Sequence, residues 1–116
     1  MHEMALTSDI VCTVIREAKA AHASRVNAVH LTIGYARDIV EDLFEKCFSY
    51  LTRDTMAQDA ALVVERVPVV VCCRECGTCY PISLADDSTL ACPACHARRY
   101  ELRSGLEFTI DRIEVA

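Results

Sequence analysis

The sequence lacks long apolar runs, an export signal and an excess of basic residues, and each absence excludes a class of protein. The longest apolar runs, such as residues 67–71, are far too short to span a bilayer. The first segment, MHEMALTSDI, has neither a basic start nor an apolar signal core, so we expect a protein that stays in the cytoplasm. The 12 basic and 17 acidic residues give a formal charge of −5, which opposes electrostatic binding of nucleic acid.

The composition nevertheless allows a folded core. Hydrophobic residues make up 53 % of the 116 positions, and the chain contains no internal repeat and no low-complexity tract. This hydrophobic content excludes extensive disorder, and the length suits one domain, or one domain with a small annexe.

Hydrophobic periodicity predicts the order helix, strand, helix, strand, cysteine-rich segment, strand. Helical spacing covers residues 5–22 and 38–55, and alternation predicts strands over 28–36, 60–71 and 105–116. Asp38 is the expected N-cap of the second helix, with Glu41 completing a capping box. Cys12 and Cys47 lie on the apolar helix faces, so we expect both to be small core residues.

These elements predict an α+β fold in which two helices cover one face of a small three-stranded sheet. A zinc-ribbon-like module with four cysteine ligands is inserted before the last strand. We therefore expect an α+β domain of residues 1–70 and 105–116, and a zinc-binding module of residues 71–104.

The module contains two Cys-x-x-Cys pairs separated by fifteen residues, and this spacing is typical of a four-thiolate zinc site. The predicted ligands are Cys73, Cys76, Cys92 and Cys95. Four protein ligands leave no open coordination position, so the site should be structural and not catalytic. Metal binding would also supply folding free energy that so short a module cannot obtain from burial.

A second reading of the module remains open, because Cys76-Gly-Thr-Cys79 is itself a Cys-x-x-Cys motif. Gly77 suits the sharp turn that follows a second ligand, which favours the pair that ends at Cys76 and leaves Cys72 and Cys79 as spare thiols. A thiol oxidoreductase that uses Cys76 and Cys79 is the rival interpretation.

The N-terminal Met1-His2-Glu3 offers a different set of donors. An α-amino group has an ordinary pKa of about 7.7–8.0, so a metal can displace its proton near neutral pH. This amine, the following amide nitrogen and the His2 imidazole can lie in one plane, a geometry that suits Ni(II) or Cu(II). Glu3 could add its carboxylate or backbone nitrogen, or could hold His2 in place.

The combination of these features resembles the HypA/HybF-type nickel metallochaperones, which insert nickel into hydrogenase and sometimes urease. The resemblance covers the whole chain and is carried by MHE, VHLTIG, CRECG…CPAC and GLEFTIDRIEV. It implies that Met1, His2 and Glu3 hold Ni(II) as cargo, while the four module cysteines hold structural Zn(II). Asp38 or Glu41 could approach the nickel site.

The resemblance also implies the working context of the protein. Its partners would be a nickel-loading GTPase and the precursor of the [NiFe]-hydrogenase large subunit, with no nucleic acid and no membrane among them. The protein would be a carrier and not an enzyme, either monomeric or a weak homodimer. The alternative function is a zinc-ribbon module that binds protein or nucleic acid without transporting nickel.

Overall fold

The structure, a computed structural model, describes residues 3–116. The helices are α1 (Glu3–Ala20), α2 (Glu41–Leu51) and a single 3₁₀ turn (Asp87–Leu90). The strands are β1 (Val26–Gly34), β2 (Ala61–Val67), β3 (Val70–Cys73), β4 (Cys79–Pro81), β5 (Tyr100–Ser104) and β6 (Phe108–Val115).

The strands form two three-stranded sheets, with the orders β2-β1-β6 and β4-β3-β5. In the second sheet the central strand β3 runs antiparallel to both of its neighbours. The α+β architecture with two helices, a small sheet and an inserted cysteine-bearing module is therefore confirmed.

The strand predicted over residues 60–71 is wrong as a single element. The structure divides it into β2 and β3, which belong to different sheets, and Pro68 lies between them. Proline has no N–H to donate to a strand ladder, so the chain leaves one sheet there and enters the other.

Two compact units make up the fold. The first contains the described residues up to Leu31 together with Asp38–Glu65 and Thr109–Ala116, and the second contains Thr32–Arg37 and Arg66–Phe108. In the first unit α1 packs against α2. Their buried apolar residues are Ile10, Val11, Val14 and Ala18 on α1, and Phe44, Cys47 and Phe48 on α2. Within residues 3–116, no helix is both long and apolar enough to cross a membrane.

The start of α2 corrects the predicted capping box. Asp38 is not the N-cap; Val40 occupies that position and has no side chain able to cap the helix. The backbone N–H of Val40 instead donates to Oε2 of Glu3 at 2.9 Å, and Glu3 is only 4 % exposed. A buried carboxylate on α1 therefore supports the first turn of α2, where the helix dipole favours negative charge.

Candidate metal centre

The first Cys-x-x-Cys pair forms a tight turn at the end of β3. The backbone N–H of Cys73 donates to the carbonyl of Thr78 at 2.8 Å, and Gly77 N–H donates to the carbonyl of Cys73 at 3.0 Å. Gly77 has a φ of 79°, a left-handed conformation that glycine adopts without steric cost. The turn predicted at Gly77 is therefore confirmed.

The second pair repeats this hydrogen-bond pattern. Cys92 N–H donates to the carbonyl of Ala97 at 2.8 Å, and His96 N–H donates to the carbonyl of Cys92 at 2.8 Å. His96 takes the left-handed position that glycine takes in the first turn, with a φ of 64°. The two turns are thus equivalent knuckles, each presenting two sulfur atoms, and exposed His96 serves as a turn residue in the second.

The two knuckles bring all four sulfur atoms together. They lie within 4.8 Å of one another, with Cys73 Sγ 3.5 Å from Cys95 Sγ and Cys76 Sγ 3.5 Å from Cys92 Sγ. Zn–S bonds of about 2.3 Å in a tetrahedron place neighbouring sulfurs about 3.8 Å apart. The thiols therefore fit a zinc ion with only small side-chain adjustments.

Burial and hydrogen bonding differ between the members of each pair. Cys73 and Cys92 are buried, whereas Cys76 and Cys95 are exposed. The Thr78 hydroxyl, 3.2 Å from the sulfur, and then the Thr78 amide lower the pKa of the Cys76 thiol to about 6. The Ala97 amide acts to lower the pKa of Cys95, but the neighbouring thiols, Cys73 first, and partial desolvation of the sulfur together raise it to about 12.

These thiols share a small volume, so they cannot all be thiolates unless a cation compensates their charge. A zinc ion held by these four cysteines would supply that charge and displace the remaining protons. Thr78, which the sequence reading did not single out, acts on this centre through its position two residues after Cys76.

Two ion pairs link the first knuckle to Glu101 of β5 and to Arg99, the residue before this strand. Arg99 contacts Glu75 at 3.1 Å, Arg74 contacts Glu101 at 3.8 Å, and all four side chains are about half exposed or more. Exposed pairs of this kind contribute little stability. The backbone bond from Arg74 N–H to the Arg99 carbonyl, 2.9 Å long, fixes the position of the knuckle more firmly.

Cys72 and Cys79 are not spare thiols as predicted. A disulfide joins them across β3 and β4, where they are direct partners in the strand register. The rival pair of Cys76 and Cys79 is therefore not formed, because Cys76 lies in the thiol cluster and Cys79 is bonded elsewhere. The sequence contained a signal for this pairing, because a hairpin whose turn includes Cys73 and Cys76 places Cys72 and Cys79 opposite each other.

The two cysteines of the helices have different surroundings. Cys47 is 5 % exposed, which confirms its place in the core. Cys12 is exposed, so its predicted burial is wrong. The buried stripe of α1 runs through Val11 and Val14, and a residue directly after Val11 is rotated about 100° away from it.

The predicted nickel ligands are only partly described. Met1 and His2 lie outside the described residues, and Glu3 is the first residue of α1. The Glu3 carboxylate is buried and receives the Val40 N–H. Asp38 and Glu41 are both exposed. The Met1, His2 and Glu3 ligand set stays a prediction.

Together, the paired knuckles and the helix-bearing sheet define an α+β protein with a cluster of four thiols that could hold a metal ion. A family model described as hydrogenase/urease nickel incorporation, metallochaperone, HypA, matches residues 1–115. The chain belongs to the HypA family, and it is a nickel metallochaperone of hydrogenase maturation.

Curated relatives agree with this assignment, and a solved structure shares the fold. The hydrogenase maturation factor HypA of Geobacter metallireducens is 42 % identical over 115 residues, covering 99 % of this chain and 99 % of that protein. HypA of Dehalococcoides mccartyi strain 195 is 36 % identical over 115 residues, covering 99 % and 94 %. The solution structure of the Ni metallochaperone HypA from Helicobacter pylori has the same fold. Its TM-score is 0.65 at 22 % identity, with 99 % of this chain and 97 % of that chain covered.

Proposed function

We propose that the protein carries Ni(II) at its N-terminus and delivers it to the precursor of the [NiFe]-hydrogenase large subunit, with urease as a second class of recipient. The ligands in this proposal are the Met1 amine, His2 and Glu3. The Zn(II) ion is held separately by Cys73, Cys76, Cys92 and Cys95. The convergence of these four sulfurs within 4.8 Å is the observation that carries the two-metal arrangement, because it gives zinc a complete ligand set without the N-terminus.

The surroundings of Glu3 support a nitrogen-rich nickel site. Its carboxylate is buried against α2 and accepts the Val40 N–H, so it already has a structural role. Because this contact occupies the carboxylate, we assign to Glu3 a backbone nitrogen donor, beside the Met1 amine and the His2 imidazole. Nitrogen donors in a plane suit Ni(II), whereas the thiol cluster suits Zn(II).

The use of two chemically different donor sets suggests how transfer works. A closed zinc site keeps its ion, because no open coordination position allows an exchanging ligand to enter. A site on the first residues of the chain has few ligands, so it can pass its ion to a second site that binds the ion more tightly. In this proposal residues 1–70 and 105–116 form the nickel-binding domain, and residues 71–104 form the zinc-binding module.

We assign the protein to the cytoplasm as a carrier without catalytic activity, either a monomer or a weak homodimer. Its expected partners are a nickel-loading GTPase and the hydrogenase large-subunit precursor. The formal charge of −5 favours basic protein surfaces over nucleic acid.

Elemental analysis and nickel titration of the untagged protein test the proposal. The wild type should hold one zinc and bind one nickel, with the absorption spectrum of planar Ni(II). His2→Ala should lose the nickel spectrum and keep its zinc. His22→Asn is the matched control, because it removes an exposed histidine elsewhere in the chain and asparagine tolerates the φ of 57° at this position. Nickel binding that survives His2→Ala contradicts the ligand assignment.

A further inference from the structure

The Cys72–Cys79 disulfide lies directly beside the proposed zinc centre. Cys72 precedes the ligand Cys73 on β3 and faces Cys79 on β4. Successive residues of a strand point to opposite faces of the sheet. Cys73 shares the face of Val71 and Tyr80, which form one buried cluster with it, so the disulfide lies on the opposite face.

The disulfide closes a loop around the first knuckle. The residues between its cysteines, 73–78, include both of the first two predicted ligands. The knuckle hydrogen bonds also close this hairpin, but its second strand is short, because β4 has only 3 residues and ends at Pro81, which has no N–H to donate. The covalent link therefore restricts the freedom of Cys73 and Cys76 in the absence of metal.

The Cys72–Cys79 disulfide is accessible to a small thiol from the side of Cys79. Cys79 is exposed, whereas Cys72 is only 9 % exposed. An incoming thiolate would attack the Cys79 sulfur and expel Cys72. Disulfides in the cytosol are usually transient, and they often act in redox sensing.

We propose that Cys72 and Cys79 are a reversible redox site that sets how firmly the first knuckle holds zinc. The disulfide form keeps Cys73 and Cys76 preorganised, and the dithiol form lets the hairpin open and release zinc faster. This inference rests on the zinc site proposed above.

The co-reactant is a low-molecular-weight disulfide such as oxidised glutathione. The Cys79 thiolate attacks it, forms a mixed disulfide and releases one glutathione. The Cys72 thiolate then attacks the Cys79 sulfur and releases the second glutathione. Two protein thiols lose two electrons and two protons, which the two released thiols gain. Reduced glutathione reverses both steps.

The test uses the untagged, zinc-loaded full chain, equilibrated in either oxidised or reduced glutathione and then desalted. Peptide mapping reports the cysteine pairing, elemental analysis reports the zinc content, and transfer to a chromophoric chelator reports the rate of zinc release. We expect zinc release on the order of tenfold faster from the reduced form, because loop closure no longer restrains the ligands. The double variant Cys72→Ser, Cys79→Ser should release zinc at the fast rate after either treatment.

Cys12→Ser is the matched control, because it removes an exposed cysteine on α1 that is outside the loop. It should respond to glutathione as the wild type does. Equal zinc-release rates from the oxidised and reduced wild type overturn the redox proposal, as does a map that pairs Cys76 with Cys79. These wild-type results decide the matter even if the double variant fails to fold. A chain without zinc in either state refutes the zinc assignment itself, and the redox proposal with it.

Discussion

Replacing Glu3 should destabilise the helix that follows β1, although Glu3 lies 37 residues away from its contact at Val40. The Glu3 carboxylate is 4 % exposed and receives the Val40 N–H at 2.9 Å. A hydrogen bond to a charged group contributes about 1.5–3 kcal/mol, and loss of a helix N-cap costs about 1 kcal/mol. We therefore expect Glu3→Ala to lower the free energy of unfolding by about 2 kcal/mol.

Urea unfolding of the zinc-loaded protein, followed by far-ultraviolet circular dichroism, measures this loss. Glu3→Gln keeps an acceptor oxygen but no charge, so it should lose about half as much. Asp38→Ala is the matched control, because Asp38 is the exposed carboxylate that local sequence rules assign as the cap. It should change the free energy of unfolding by less than about 0.5 kcal/mol. A loss at Asp38 equal to that at Glu3 would refute the reasoning.

Three further substitutions test particular contacts. Gly34→Ala would place a Cβ 2.0 Å from the carbonyl oxygen of Gly105, so urea unfolding should show a loss of at least about 3 kcal/mol. His96→Gly removes a side chain from a φ of 64° and should raise the free energy of unfolding of the zinc-loaded protein by about 1 kcal/mol. The hydrogen bond with His30 lowers the pKa of Glu114, so their pairing stabilises the fold above the ordinary carboxyl pKa and is lost as the pH falls. Unfolding at a series of pH values should therefore show a steeper loss below about pH 4 for the wild type than for Glu114→Gln.

The thiol cluster was predictable from the sequence because its geometry is local. Each Cys-x-x-Cys pair forms its knuckle through hydrogen bonds within five residues, from Cys73 to Thr78 and from Cys92 to Ala97. Spacing therefore predicts the knuckles, and Gly77 favours the pair that ends at Cys76 over the pair of Cys76 and Cys79. The helices and the buried face of β1 were also predictable. The spacing of apolar residues along each element indicates which of its faces is buried.

The cap of α2 was not predictable, because its partner is distant in the chain. Local rules assign Asp38, whereas the fold brings the Glu3 carboxylate to Val40. Which carboxylate reaches a helix N-terminus depends on how α1 packs against α2, and a sequence window cannot contain that information.

Two further errors had signals that were available in the sequence. Pro68 interrupts the predicted strand of residues 60–71, and proline inside a strand pattern indicates a break. The pairing of Cys72 with Cys79 follows from the hairpin that the first knuckle makes, once β3 and β4 are recognised on either side of it. Both errors came from treating the module as irregular chain, whereas it contains a sheet of its own.

The leading amine is the group that most directly decides where the nickel ion binds. The decisive measurement is nickel binding by calorimetry to the zinc-loaded protein with a free Met1 and to the same protein acetylated at that amine. We expect acetylation to abolish stoichiometric nickel binding, while elemental analysis still finds one zinc per chain. Unchanged nickel affinity in the acetylated protein would contradict the proposal that the N-terminus carries the nickel ion.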